Sequence, residues 1–335
     1  MSLRKINIAE YRTERGLSFK NLPLSYQIFG REPGTAPVVL VCHALTGNSS
    51  VAGENGWWKA LVGKNACIDL NVFTVVCFDI PGNGYNGFLI KDYTDVTIRD
   101  VAVWFLTGLN KLGVKSVFAG IGGSLGGSIL WQMAIIEPEL FENMIPIATD
   151  WKATDWLLAQ CRVQTQILEN SDKPVQDARI HAMTFYRTAE SLKSKFGRRR
   201  EDKSPIFEVE SWLFHHGKTL QKRFHLQAYK LMNHLLTTAD VETQFVNFQD
   251  QAKQITGTIH LVGIDTDGFY LDSEILDTYR TLREIKTNVF YNQIKSVHGH
   301  DAFLIEYEQL ERLLHPVFKT RNNKNKLRNE YEYIG

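Results

Sequence analysis

Ser116-Val-Phe-Ala-Gly-Ile-Gly-Gly-Ser124-Leu-Gly-Gly-Ser-Ile-Leu-Trp-Gln-Met-Ala-Ile-Ile136 is the stretch that decides how this chain folds. An apolar run of strand length, 116–121, passes through Gly122-Gly-Ser124-Leu-Gly126 into a helix-like stretch, 128–136. A serine at such a strand-to-helix turn sits on strained backbone with its hydroxyl pushed outward, which is the geometry of a nucleophile elbow. The glycines have a physical reason, because a Cβ at Gly122 or Gly126 would obstruct the close approach of strand and helix. An ordinary Gly-rich turn is the competing reading, and the rest of the chain decides between them.

Working outward, short apolar runs at 38–42, 72–80, 116–121 and 144–148 alternate with helical patterns, which predicts a parallel, doubly wound sheet. The rhythm stops at Lys152, and 152–254 is rich in helix formers and long polar side chains with no strand pattern. Strands resume at 258–263 and 288–294, followed by a helix over about 303–314. One sheet interrupted by a helical lid accounts for this order: a core of 1–151 and 255–318, a lid of 152–254, and a basic tail, 319–335, read as a solvated, frayed terminus.

Composition narrows the function. Lys plus Arg is 38 against 37 for Asp plus Glu, so a net charge of +1 offers no electrostatic argument for nucleic acid or membrane partners. The longest apolar runs are strand-length, far short of a spanning helix, and the N-terminus carries no signal-peptide pattern. Four scattered cysteines, Cys42, Cys67, Cys77 and Cys161, have neither CxxC spacing nor disulfide-scaffold density. A cytoplasmic protein acting on small molecules is the expectation, with no bound metal or cofactor.

A serine hydroxyl is a weak nucleophile at neutral pH, so the elbow is useful only if a histidine takes its proton and an acid orients that histidine. In the α/β-hydrolase fold the partners follow the serine in the order acid, histidine. Here the strand ending at Gly263 runs into Ile264-Asp-Thr-Asp-Gly268, and the strand ending near Lys295 runs into Ser296-Val-His-Gly-His-Asp301. Both loops leave the edge of the sheet that carries the elbow. The residues alone leave Asp265 against Asp267 and His298 against His300 open, with Asp150 a third acid after the strand 144–148. The oxyanion donors expected are the amide of Leu125, next after the serine, and that of Leu45, in the loop His43-Ala-Leu-Thr-Gly47. His43 itself reads as a shaping residue.

The match runs deeper than the fold. His43-Ala-Leu-Thr-Gly47, Gly56-Trp-Trp58, Val96-Thr-Ile-Arg-Asp100, Gly122-Gly-Ser-Leu-Gly-Gly127, Phe185-Tyr-Arg-Thr188, Val209-Glu-Ser-Trp-Leu213 with His216-Gly217, and Gly299-His-Asp-Ala-Phe-Leu304 resemble the homoserine O-acetyltransferase family over about residues 20–315. The resemblance implies an α/β-hydrolase fold with an inserted helical lid and a Ser124-Asp267-His300 triad. It also implies Arg187 and Asp301 as substrate-binding residues, a guanidinium and a carboxylate suited to the carboxylate and ammonium of an amino acid. A lid salt bridge for Arg187 and a helix N-cap for Asp301 are the purely structural readings of those two. The implied reaction is ping-pong transfer of an acetyl group from acetyl-CoA, as co-substrate, to the hydroxyl of L-homoserine for methionine synthesis, in a homodimer joined through the lid. An esterase using the same triad, a succinyl-CoA donor, or an acceptor such as serine are the alternatives. The chain departs from the family pattern at Pro81-Gly-Asn-Gly-Tyr-Asn-Gly-Phe88, at Arg223-Phe-His-Leu-Gln-Ala-Tyr229 in the lid, and at Ala148-Thr-Asp-Trp151.

Overall fold

Strand β3 (Val38–Cys42) shows why the sheet is covered on both sides, since all five of its residues are buried. Val38, Leu40 and Cys42 enter one apolar cluster and Val39 and Val41 the other. The same alternation splits β6 (Thr74–Phe78), with Val76 and Phe78 on one face and Val75 and Cys77 on the opposite one. Near-continuous apolar runs of this kind belong to parallel strands clothed by helices. Each such Val or Leu contributes about 1.5–3 kcal/mol of burial, an upper estimate against a compact unfolded chain.

The computed structural model describes residues 2–202 and 205–332, with side chains placed as far as 319. Besides β3 and β6, the main sheet contains β1 (Arg4–Arg12), β2 (Ser18–Gly30), β7 (Val117–Gly123), β8 (Phe141–Ile147), β9 (Thr258–Ile264) and β10 (Val289–Ile294). Their order is β1-β2-β6-β3-β7-β8-β9-β10. Pairs β1·β2 and β2·β6 are antiparallel, and the six strands from β6 to β10 are parallel. A two-residue ribbon, β4 (Val62–Gly63) with β5 (Ile68–Asp69), stands apart.

Six of the eight strands fall where the apolar runs predict them. The hairpin β1–β2 has no counterpart in the sequence reading, because β1 is an edge strand with a mostly exposed, polar pattern, Arg-Lys-Ile-Asn-Ile-Ala-Glu-Tyr-Arg, that gives the eye little to catch. Helices α1 (Ile98–Lys111) and α2 (Leu125–Ile136) pack on the first face. On the second face lies α10 (Tyr307–Glu332), whose Leu310, Leu314 and Phe318 are buried. The helix expected over 303–314 is in fact a 3-10 turn, Gly299–Leu304, followed by α10, whose backbone carries on through the basic segment to Glu332. The solvation expected for that tail concerns side chains beyond 319, outside the described ones.

Between β8 and β9 lie α3 (Asp155–Asn170), α4 (Pro174–Tyr186), α5 (Ala189–Phe196), α6 (Glu208–Arg223), α7 (Leu226–Thr237) and α8 (Phe248–Gln254). All of them except α5 share one apolar cluster with the sheet. Phe248 of α8, for instance, stacks on Trp151 at 4.3 Å and meets Trp131 of α2 edge-on. The remaining helix, α9 (Asp272–Ile285), connects β9 to β10.

Candidate active site

Ser124 occupies the single residue between β7 and α2, at φ 54° and ψ −128°. That left-handed position costs a non-glycine residue about 1–3 kcal/mol and persists only where surroundings over-determine it. Here the Ser124 amide donates to Ile147 of β8 at 2.9 Å, and the Ser124 carbonyl accepts from Gly127 and Ser128 at 2.8 and 3.2 Å. The glycines are required by close approach: a Cβ on Gly126 would stand 2.2 Å from the Cys42 carbonyl oxygen, and one on Gly122 2.6 Å from the Gly126 carbonyl carbon. The hydroxyl forms no hydrogen bond among the described residues, yet Ser124 is only 4% exposed. The elbow does push it off the sheet, but the lid crosses this edge, with Tyr186 at the end of α4 5.4 Å from the His300 ring.

The loops after β9 and β10 resolve the paired candidates. Asp267 accepts His300 Nδ1–H on Oδ2 at 2.7 Å, while its Oδ1 accepts the amides of Phe269 and Tyr270 at 2.7 and 3.0 Å. Both residues are at most 5% exposed. With Nδ1 donating, Nε2 carries the lone pair that a general base needs. The imidazole is boxed by Tyr186, Phe269, Tyr270 and Phe303, with centroids 5.1–5.9 Å away. Phe303 also ties it to the elbow, since its ring edge lies 2.5 Å from where a Cβ on Gly123 would stand.

Asp265 instead accepts the Ser296 amide at 2.9 Å and pins the two loops together. His298 turns to the lid, where Arg187 Nη2 donates to its Nδ1 at 3.0 Å. Asp150 accepts Thr278 Oγ1–H and the Trp151 amide, both at 2.8 Å, and has no hydrogen bond to an imidazole among the described residues. Burial raises its pKa to about 7, although both hydrogen bonds oppose the shift.

Leu45 and Thr46 are the central residues of a turn closed by Gly47 N–H to Ala44 O at 2.9 Å. Neither the Leu45 nor the Leu125 amide is committed to a turn or loop hydrogen bond among the described residues. Leu125 opens α2, so its N–H has no intrahelical acceptor. His43 shapes this loop: Nδ1 donates to Ala44 O at 2.8 Å and Nε2 accepts the Ile80 amide at 3.1 Å. Burial lowers its pKa against the pull of Asp79. At the far end, buried Asp79 accepts the Ser49 amide at 2.7 Å, Ser49 Oγ at 3.0 Å and Ser25 Oγ at 2.7 Å.

Arg187 sits just after α4 with its fork on Ser191 Oγ at 2.6 and 3.1 Å, and it forms no carboxylate ion pair among the described residues, which removes the salt-bridge reading. Asp301 lies inside the 3-10 turn that begins at Gly299, so it is not an N-cap. Burial raises its pKa, while Arg179, His300 and Arg187 pull the other way. Arg179, which sequence reading passed over, is the strongest of the cations acting on Asp301. It lies over the Tyr186 ring at 5.6 Å, and the signal for it was a cation set among Ala178, Ala182, Met183 and Tyr186, four of the six buried positions of α4.

Comparison with known proteins gives this geometry its setting. The family profile described as the alpha/beta hydrolase fold matches residues 37–255. A homoserine O-acetyltransferase of Salinibacter ruber is 30% identical, the match covering 90% of this chain and 93% of the relative. The chain belongs to the homoserine O-acetyltransferase family, within the α/β-hydrolase fold. It is therefore an enzyme. A second family member, from Moorella thermoacetica, is 29% identical, with 91% and 92% of the two chains covered. Among solved structures, homoserine O-acetyltransferase from Staphylococcus aureus superimposes with a TM-score of 0.79 at 22% identity over 94% of each chain. Esterase E22 does so with a TM-score of 0.83 at 17% identity over 95% of this chain and 99% of its own. At those identities the likeness is one of fold. No helix among the described residues is long and apolar enough to cross a membrane.

Proposed function

We propose that this enzyme transfers an acetyl group from acetyl-CoA to the hydroxyl of L-homoserine by a ping-pong mechanism carried by Ser124, His300 and Asp267. The observation that carries the reading is the 2.7 Å His300–Asp267 hydrogen bond beside a strained elbow serine, in a chain of this family. His300 Nε2 takes the Ser124 proton as Oγ attacks the thioester carbonyl, and the Leu45 and Leu125 amides receive the oxyanion. As the tetrahedral intermediate collapses, the C–S bond breaks and CoA leaves as the thiol with the proton held by His300. The homoserine hydroxyl then gives its proton to the same nitrogen and attacks the acyl-enzyme, releasing O-acetylhomoserine and restoring Ser124.

Arg187 and Asp301 would hold the acceptor's carboxylate and ammonium. The buried carboxylate of Asp301, which has no hydrogen-bond partner among the described residues, and the absence of an ionic partner for Arg187 among them support those roles. Transfer in preference to hydrolysis requires that water be kept from the acyl-enzyme, and the low exposure of Ser124 and His300 beneath the lid supports that. A homodimer through the lid is part of the proposal, supported by apolar side chains that the lid leaves exposed, Trp156, Leu158 and Val163 on α3 and Phe214 on α6.

The test is free-thiol release from acetyl-CoA with L-homoserine, repeated with succinyl-CoA, with L-serine and without acceptor. Homoserine-dependent release from acetyl-CoA is the expected result; release that ignores the acceptor makes the protein an esterase-like hydrolase. Ser124→Ala should lower turnover at least about a thousandfold.

A further inference from the structure

Two segments in which this chain departs from the family motifs lie against each other. His225 and Ala228 approach to 3.9 and 3.8 Å of where a Cβ on Gly84 would sit, and Leu231, two residues past the second segment, brings its Cδ2 to 2.5 Å of the same position on Gly82. Gln227 Nε2 fastens the contact by donating to the carbonyls of Ile90 and Lys91 at 3.0 and 2.9 Å. From this packed unit two side chains reach the turn that carries Leu45. Asn83 Nδ2 lies 3.5 Å from Nε2 of His43, the residue that holds Ala44 O. From the lid, Arg223 Nη1, at the last position of α6, donates to the Thr46 carbonyl at 3.0 Å.

We propose that Arg223 is a positioning residue, which by holding the Thr46 carbonyl fixes the turn that presents the Leu45 amide to the oxyanion, so that the lid and the oxyanion hole dock as one unit. The proposal rests on the acyl-transfer reading above. Its physical basis is preorganisation. A backbone donor stabilises a developing charge only if it already points there, and a four-residue turn closed by one backbone bond can tilt about its ends. His43 restrains the Ala44 side of the turn from the sheet, and Arg223 restrains the Thr46 side from a different layer of the molecule. The tether spans 177 positions of sequence, so it exists only when the lid is seated.

The experiment compares wild type with Arg223→Gln and Arg223→Lys. It measures the burst of p-nitrophenol released on acetylation by p-nitrophenyl acetate, with the acetyl adduct on Ser124 located by mass spectrometry. It also measures affinity for phenylboronic acid, which forms a tetrahedral adduct with the serine, together with the KM for acetyl-CoA and Tm. The expected result for Arg223→Gln is a fall of about tenfold in the acylation rate and a matching loss of boronate affinity, less than the full removal of a donor because the amide is displaced and not deleted. KM and Tm stay at wild-type values, and Arg223→Lys recovers most of the loss. Wild-type acylation rates in Arg223→Gln overturn the clamp, as does a lowered Tm with boronate affinity intact. A wild-type protein that forms no adduct on Ser124 overturns the acyl-transfer reading itself, and the clamp falls with it.

Discussion

Asp267→Asn tests the center of the proposed mechanism because the structure dictates what each atom of the new side chain would do. Asn Oδ1 still accepts the Phe269 and Tyr270 amides that now bind Asp267 Oδ1 at 2.7 and 3.0 Å, so the loop keeps its shape. The amide nitrogen then stands where Oδ2 accepts His300 Nδ1–H at 2.7 Å. Two donors cannot face one another, so the imidazole shifts its proton to Nε2 and presents a lone pair at Nδ1. A histidine protonated at Nε2 cannot deprotonate Ser124. The expected loss in kcat is about 10⁴-fold, the scale found when a triad aspartate becomes asparagine, or about 5.5 kcal/mol of barrier. Folding stability should change by only about 1 kcal/mol, since one hydrogen bond is remade and not left unsatisfied. Thiol release from acetyl-CoA and the p-nitrophenyl acetate burst measure the first quantity and thermal melting the second. Asp265→Asn is the control, because its Oδ1 can go on accepting the Ser296 amide. A variant of Asp267 that retained a tenth of wild-type activity, or an Asp265 variant that lost as much, would refute the assignment.

Other outcomes follow from neighboring residues. Asp150→Asn should flatten the pH dependence of stability. Burial raises this carboxyl from 3.8 to about 7, so the folded chain keeps a proton that the unfolded chain releases, and stability falls as pH rises from about 4 to about 7 and is level beyond. The ceiling on that fall is about 4 kcal/mol, of which about 3 kcal/mol lies above pH 5, and melting the variant beside wild type at pH 5 and pH 8 measures that part. Gly126→Ala places a Cβ 2.2 Å from the Cys42 carbonyl oxygen and should cost more than about 3 kcal/mol, read as a Tm lower by several degrees or as insoluble protein. Arg187→Lys loses the planar fork while keeping the charge, so the KM for homoserine should rise about 10–100-fold while the acylation burst stays unchanged; a slowed burst would place Arg187 in the acylation step instead.

How much of this was legible beforehand depends on how local the physical cause is. The elbow is local: glycines at 122 and 126 are demanded by contacts within one strand-turn-helix unit and its neighboring strand, and they mark it in the chain. The parallel strands are local too, because burial on both faces writes itself as unbroken apolar runs such as Val38-Val-Leu-Val-Cys42. The hairpin β1–β2 escaped because an edge strand tolerates polar residues, and pairing with a neighbor leaves no mark on composition. Motif resemblance favored Asp267 and His300, but nothing in Asp265-Thr-Asp267 or His298-Gly-His300 says which member of each pair meets the other. That depends on where two loops from different strands point, and the fold sends Asp265 to Ser296 and His298 to Arg187.

By itself, then, the sequence determined the parallel strands, the helical insertion, the elbow and the order of serine, acid and histidine, since each is written in local patterns along the chain. Only the tertiary structure decided the partner of Asp267, the proton position that this implies on His300, the acceptance of the Ile80 amide by His43, the pull of Arg179 on Asp301 and the reach of Arg223 to Thr46. Those are contacts between segments tens to hundreds of residues apart, and their geometry is set by packing that no local pattern encodes.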